Sequence, residues 1–146
     1  MKKSFFVWVP MMALVAGTML IAACEKEMED GEGSHNAGKN CLSCHKPGGE
    51  GEGTFTVGGT VYNSSGSGLS GVSVKLYQNA DRTGTPVATL TSDASGNFHT
   101  GSGINFSSGL YVTLTSGTKS VSMASPITTG ACNSCHGASV EKIVLN

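Results

Sequence analysis

Hydrophobic and polar positions divide the 146-residue chain into stretches of different pattern. Behind Lys2 and Lys3 a predominantly apolar run extends from Phe5 through Ile21 and ends in small residues before Cys24. A short basic start followed by such a run is the pattern of an export signal, with a transmembrane anchor as the alternative, since a span needs ~20 apolar residues. Glu25 to Ser34 is acidic, contains glycine and has almost nothing to bury, so it is expected to be a tether. From Phe55 onward short period-2 runs alternate with turn clusters. Val72, Val74 and Leu76 should face inward while Ser73, Lys75 and Tyr77 face out, and Leu110, Val112 and Leu114 repeat this against Tyr111, Thr113 and Thr115. Further strands are expected over 56–62, 87–91, 97–100 and 119–123, with turns at 63–68, 81–84 and 93–96. No segment here sustains helical periodicity, and the apolar stretch from Val140 to Leu145 could be a strand or a short helix. Six or so strands at this spacing predict an all-β, antiparallel sandwich.

Three segments within the patterned region carry a resemblance. Gly59-Thr60-Val61-Tyr62, Gly68-Leu69-Ser70-Gly71-Val72-Ser73-Val74 and Thr91-Ser92-Asp93-Ala94-Ser95-Gly96-Asn97-Phe98 together resemble the carboxypeptidase regulatory-like, or transthyretin-like, β-sandwich. The resemblance covers roughly Phe55 to Met123 and implies a prealbumin-like scaffold without catalytic residues of its own. Separately, Ile21-Ala22-Ala23-Cys24 resembles the lipobox of bacterial lipoproteins, which implies acylation of Cys24 and a mature chain beginning there. That chain runs to Asn146, 123 residues, enough for a modest core. Glu25, where some lipoproteins carry an inner-membrane-retaining Asp, tilts the expected destination toward the outer membrane or cell surface.

Charge adds an exclusion. Without Lys2 and Lys3 the formal net charge moves from −1 to −3 and the remaining basic residues are scattered, so nucleic-acid binding is not expected. Cysteine adds a cofactor. Besides Cys24 the chain has two Cys-x-x-Cys pairs, each followed directly by histidine: Cys41-Leu42-Ser43-Cys44-His45 and Cys132-Asn133-Ser134-Cys135-His136. Two thiols so spaced can reach the two vinyl groups of one porphyrin, and the adjacent imidazole can reach its iron. The motifs resemble those of c-type cytochromes, which implies two covalently attached haem c groups held through Cys41, Cys44, Cys132 and Cys135, with His45 and His136 as proximal ligands. A tetrathiolate zinc site is the competing use of the four cysteines, but it leaves the two following histidines without a role.

The expected organisation is therefore a signal over 1–23, a tether over 24–34, a first haem-binding segment over 35–53, the sandwich over 54–125, and a second haem-binding segment with a C-terminal element over 126–146. Two haem-binding loops would flank the sandwich. Of four histidines, His35 and His99 remain after the proximal assignments, one for each iron, which favours bis-histidine coordination. Methionine competes only through Met28, in the tether, and Met123, which should be core. An iron with both axial positions filled passes electrons and does not bind substrate. The expected function is thus a dihaem electron carrier at the cell envelope, without enzymatic activity. Its expected partners are envelope redox proteins, the membrane through acylated Cys24, and further copies in an oligomer or electron-conducting filament. A di-haem peroxidase and a zinc-containing surface binding lipoprotein are the competing functions.

Overall fold

The computed structural model describes residues 34–145. The expected signal, Cys24, Met28 and all of the tether but Ser34 lie outside the described residues. Among the described residues there are eight strands: β1 (Val57–Tyr62), β2 (Ser73–Tyr77), β3 (Ala88–Thr91), β4 (Asn97–Thr100), β5 (Tyr111–Ser116), β6 (Lys119–Ser122), β7 (Gly130–Ala131) and β8 (Ile143–Val144). One short helix, α1 (Cys41–Cys44), and a 3₁₀ turn over Cys132–Ser134 contain the Cys-x-x-Cys pairs.

The strands form two sheets that share a core, the all-β sandwich expected from the alternation. One sheet has the order β3-β2-β5-β6, antiparallel throughout. In the other, β1 is central: it pairs antiparallel with β4, and on its opposite edge parallel with β7 and β8. Val72, Val74, Leu76, Leu110, Val112 and Leu114 meet Val57, Val61 and Phe98 across the interior, so the two period-2 runs face as their patterns require. Met123 rests against this core, as its position suggested.

The C-terminal segment departs from expectation. The sequence pattern predicts antiparallel pairing, yet β7 and β8 both run parallel to β1, Gly58 opposite Ala131 and Val61 opposite Ile143. The chain returns from the second sheet along the free edge of β1 in the same direction, so the second cysteine segment completes the sheet. Between strand and helix for Val140 to Leu145, the structure selects a strand at Ile143–Val144; the Leu145 amide donates to the Tyr62 carbonyl at 2.9 Å, and its side chain enters the core.

β1 is the element that positions the site. A strand with one face in water alternates buried and exposed, but every residue from Val57 to Tyr62 is buried. Val57 and Val61 face the core. Gly58, Thr60 and Tyr62 point the other way and are covered by Cys41, Leu42 and Asn133, while Cys132 covers Gly59 from the core side.

Candidate functional site

Two adjacent glycines allow the covering. A Cβ on Gly58 would lie 2.8 Å from Cys41 Cβ and 3.2 Å from Leu42 Cδ1, and one on Gly59 would lie 2.8 Å from Cys132 Cβ and 2.6 Å from Phe98 Cζ. Any side chain at either position would push a motif off the strand. The sequence reading placed one haem loop on each flank of the sandwich; here both motifs meet at the same pair of strand residues.

A buried polar network then holds them together. Thr60 Oγ1 accepts from the Gly38 amide at 2.8 Å and from Asn133 Nδ2 at 2.9 Å, and donates to Asn97 Oδ1 at 2.6 Å. Asn133 Oδ1 accepts from the Thr60 amide at 3.2 Å, and Asn133 Nδ2 also donates to the Lys39 carbonyl at 3.0 Å. Asn133 belongs to the second motif, and Lys39 lies two residues before the first. One buried amide thus ties motif to motif, with its donors and acceptors satisfied as burial demands. Asn97 extends the network, donating to Ser34 Oγ at 2.7 Å and to the His35 carbonyl at 3.2 Å.

Each motif is a single helical turn. The His45 amide donates to the Cys41 carbonyl at 2.9 Å and the His136 amide to the Cys132 carbonyl at 3.0 Å, which gathers two thiols and an imidazole on one turn. The turns differ in burial. Cys41 and Cys44 are half-buried and Cys135 is exposed, whereas Cys132 rests against the core. Burial pushes the Cys41 thiol above its ordinary range, with the neighbouring Cys44 adding to the shift. Burial, and then the nearby Cys41 and Cys135, push the Cys132 thiol up to about 12. That Cys41 bears on Cys132 reflects how closely the motifs approach.

The two motif histidines share one arrangement. His45 Nδ1 lies 2.8 Å from the Glu52 carbonyl oxygen, and His136 Nδ1 lies 2.8 Å from the Glu141 carbonyl oxygen. A carbonyl only accepts, so each Nδ1 carries the proton and each Nε2 presents its lone pair. Such a backbone partner on the remote nitrogen is the usual support of a metal-bound imidazole. Four thiols that form no disulfide, in two helical turns each with a tautomer-fixed imidazole, fit haem c at both motifs. Cys132 is the least accessible of the four.

The remaining histidines both lie on the first motif's side of the molecule. His35 lies 5.9 Å from His45 between ring centroids, tilted by 36°. That is close to the ~6 Å expected when two imidazoles hold one ion from opposite sides through metal–nitrogen bonds of ~2 Å. His99 projects outward from β4 as expected, and its ring stacks on Phe55 at 4.2 Å, while Phe55 stacks on His45 at 4.0 Å. Two rings at such distances cannot share a face of Phe55, so Phe55 separates His99 from His45. His35 and His99 therefore both belong to the first motif's surroundings. His136 instead borders a groove of ≈ 150 Å³ with Ala37, Gly38, Lys39, Tyr62 and Lys142.

Sequence reasoning did not find Asn133, Thr60, Asn97 or Phe55. Asn133 occupies a variable position inside its motif and has no local signature. Among the described residues, no three His, Cys, Asp or Glu side chains are grouped to hold a metal ion, and no helix is long and apolar enough to cross a membrane. Neither family models, curated proteins nor solved structures match the chain.

Proposed function

We propose that the protein is an exported dihaem c-type cytochrome that carries electrons at the cell envelope, built on a prealbumin-like sandwich and anchored through acylated Cys24. The observation that carries this reading is the shared geometry of the two motifs: in each, one helical turn presents two thiols, and a carbonyl fixes the imidazole with Nε2 free. Zinc would need the four thiols gathered around one point. Haem iron takes four ligands from its porphyrin and asks the protein for two, and the His35–His45 pair at the first motif has a spacing that suits such an iron.

Haem c supplies a one-electron iron couple. Within this chain, Cys41 and Cys44 hold the first group and Cys132 and Cys135 the second. His45 and His136 would each supply an imidazole to an iron, oriented by the carbonyls of Glu52 and Glu141. His35 would supply the second imidazole at the first motif, since Phe55 stands between His99 and His45. His99 is then the only histidine left for the second iron, reached within the chain or from a second copy. Asn133 keeps the motifs at a fixed separation, which suits exchange between two haems of one chain. Envelope redox proteins would deliver and collect the electrons.

A pyridine haemochrome spectrum of the exported protein tests the reading. Two thioether-linked haems per chain are expected, low-spin in both oxidation states. Absence of haem, with zinc bound instead, would overturn it.

A further inference from the structure

The groove beside His136 has a chemistry that the motif does not require. It is lined by the Lys39 and Lys142 side chains and by Tyr62 as well as by His136. The Lys142 ammonium sits 4.6 Å from the centre of the Tyr62 ring, a cation–π contact that holds it at the groove. Lys39 is brought there by its own backbone, since its carbonyl is the acceptor for Asn133 Nδ2. Gly38, with φ +84°, packs so closely on Tyr62 that a Cβ there would meet the phenol oxygen. The groove thus holds the Lys142 ammonium over the Tyr62 ring, with Lys39 among its lining residues, beside His136. Both closing loops carry acids, Glu50 and Glu52 at the first motif and Glu141 at the second, and Lys46 follows His45; what sets the second motif apart is the groove that gathers Lys39 and Lys142.

From this we infer that the groove formed by Lys39, Tyr62 and Lys142 binds carboxylates, and that these are the two propionates of the second haem. The inference rests on the proposed haem attachment at Cys132 and Cys135. It adds a role for residues outside the motif. A porphyrin carries two carboxylates on one edge, and the groove offers two cations beside the imidazole that would hold the iron. Opposite charges brought together there attract one another. A cation near the iron also favours the reduced state, because reduction removes one positive charge from the metal. Lys39 and Lys142 are positioning residues here and take no part in ligation.

The test is a redox titration of the haem-loaded full-length protein and of its Lys142→Met, Lys39→Met and Lys142→Arg variants, followed optically. In Lys142→Met one of the two midpoint potentials should fall, lowering the reduced-to-oxidised ratio of that haem several-fold at a fixed potential, while the other stays put. Lys39→Met should move the same haem in the same direction, and Lys142→Arg should restore it. Unchanged potentials in both methionine variants, or no rescue by arginine, would overturn the inference. Wild-type titrations at several phosphate concentrations and constant ionic strength separate the two sources of anion. A potential that follows phosphate in the wild type but not in Lys142→Met would mean that the groove takes a free anion, and the propionate assignment would fall. Failure of the haem reading itself is distinct, since it appears as missing haem in the wild-type haemochrome spectrum.

Discussion

The first and second Cys-x-x-Cys-His segments have the same spacing and the same imidazole support, yet their surroundings are opposite in kind. Around His45 the chain gathers rings: Phe55 stacked on it, His99 beyond Phe55, and His35 on another side. Beside His136 it gathers cations, Lys39 and Lys142, with the Tyr62 ring beneath one of them. On the proposed reading the motif would attach a haem and the neighbours would set how each iron behaves. Cations beside a haem favour a higher potential. The two haems of one chain should therefore form an ordered pair with an uphill and a downhill end.

The largest test removes one haem at a time. Cys132→Ala with Cys135→Ala should halve the haemochrome signal and leave a low-spin haem that does not bind carbon monoxide. Cys41→Ala with Cys44→Ala should also halve the signal, but the haem left should titrate at a higher potential. If the two single-haem proteins have the same spectrum and potential, the comparison between sites fails.

Next in size is a change of spin state. His35→Ala should turn the first haem high-spin, visible in the oxidised optical spectrum. His99→Ala should leave the first haem low-spin because Phe55 separates it from His45. A first haem turned high-spin by His99→Ala and untouched by His35→Ala would reverse our assignment.

These contrasts also indicate what could be read from the chain itself. Period-2 alternation was enough for Val72, Val74, Leu76, Leu110, Val112 and Leu114, because a half-buried strand writes its facing directly into its residues. It failed for β1, whose second face is buried by segments 20 residues before it and 70 after it; no local pattern encodes a cover that arrives from so far along the chain. The parallel pairing of β7 was hidden for the same reason, since two residues carry no period. Cysteine spacing pointed to the two segments, and the structure brings both to β1. The partition of His35 and His99 was not legible, because a count of ligands carries no information about which sheet edge each one reaches. Asn133 was invisible because a buried amide is defined by its three partners, all of them distant in sequence.

Asn133 is accordingly the test of whether the two sites act as one unit. Asn133→Leu removes the acceptor for the Thr60 amide and the donors to Thr60 Oγ1 and the Lys39 carbonyl. Leaving buried groups unpaired costs ~1–3 kcal/mol each, with part recovered by relaxation, so a loss of about 3 kcal/mol in denaturant unfolding is expected. Ser134→Ala, at the next position, removes one exposed bond to the Ala131 carbonyl and should cost well under ~1 kcal/mol. Equal effects of the two variants would mean that the motifs are held independently.

The smallest expected effect separates the motifs before haem arrives. In haem-free protein the Cys132 thiol, pressed against the core, is pushed up to about 12, while in the unfolded chain a thiol ionises near ~8.5. Between those values the unfolded state has released a proton that the folded state retains. Because the unfolded state then binds fewer protons, stability falls as pH rises. The contribution is complete below about pH 8 and lost progressively as pH climbs toward 12. Cys41, raised by burial in the same sense, adds to the slope. Thermal unfolding of the reduced, haem-free protein at a series of alkaline pH values should show a falling midpoint, and Cys132→Ala should flatten that fall more than Cys41→Ala does. Equal flattening by the two variants would mean that the second motif's first thiol is no more enclosed than the first's, and the asymmetry between the sites would begin only once haem is bound.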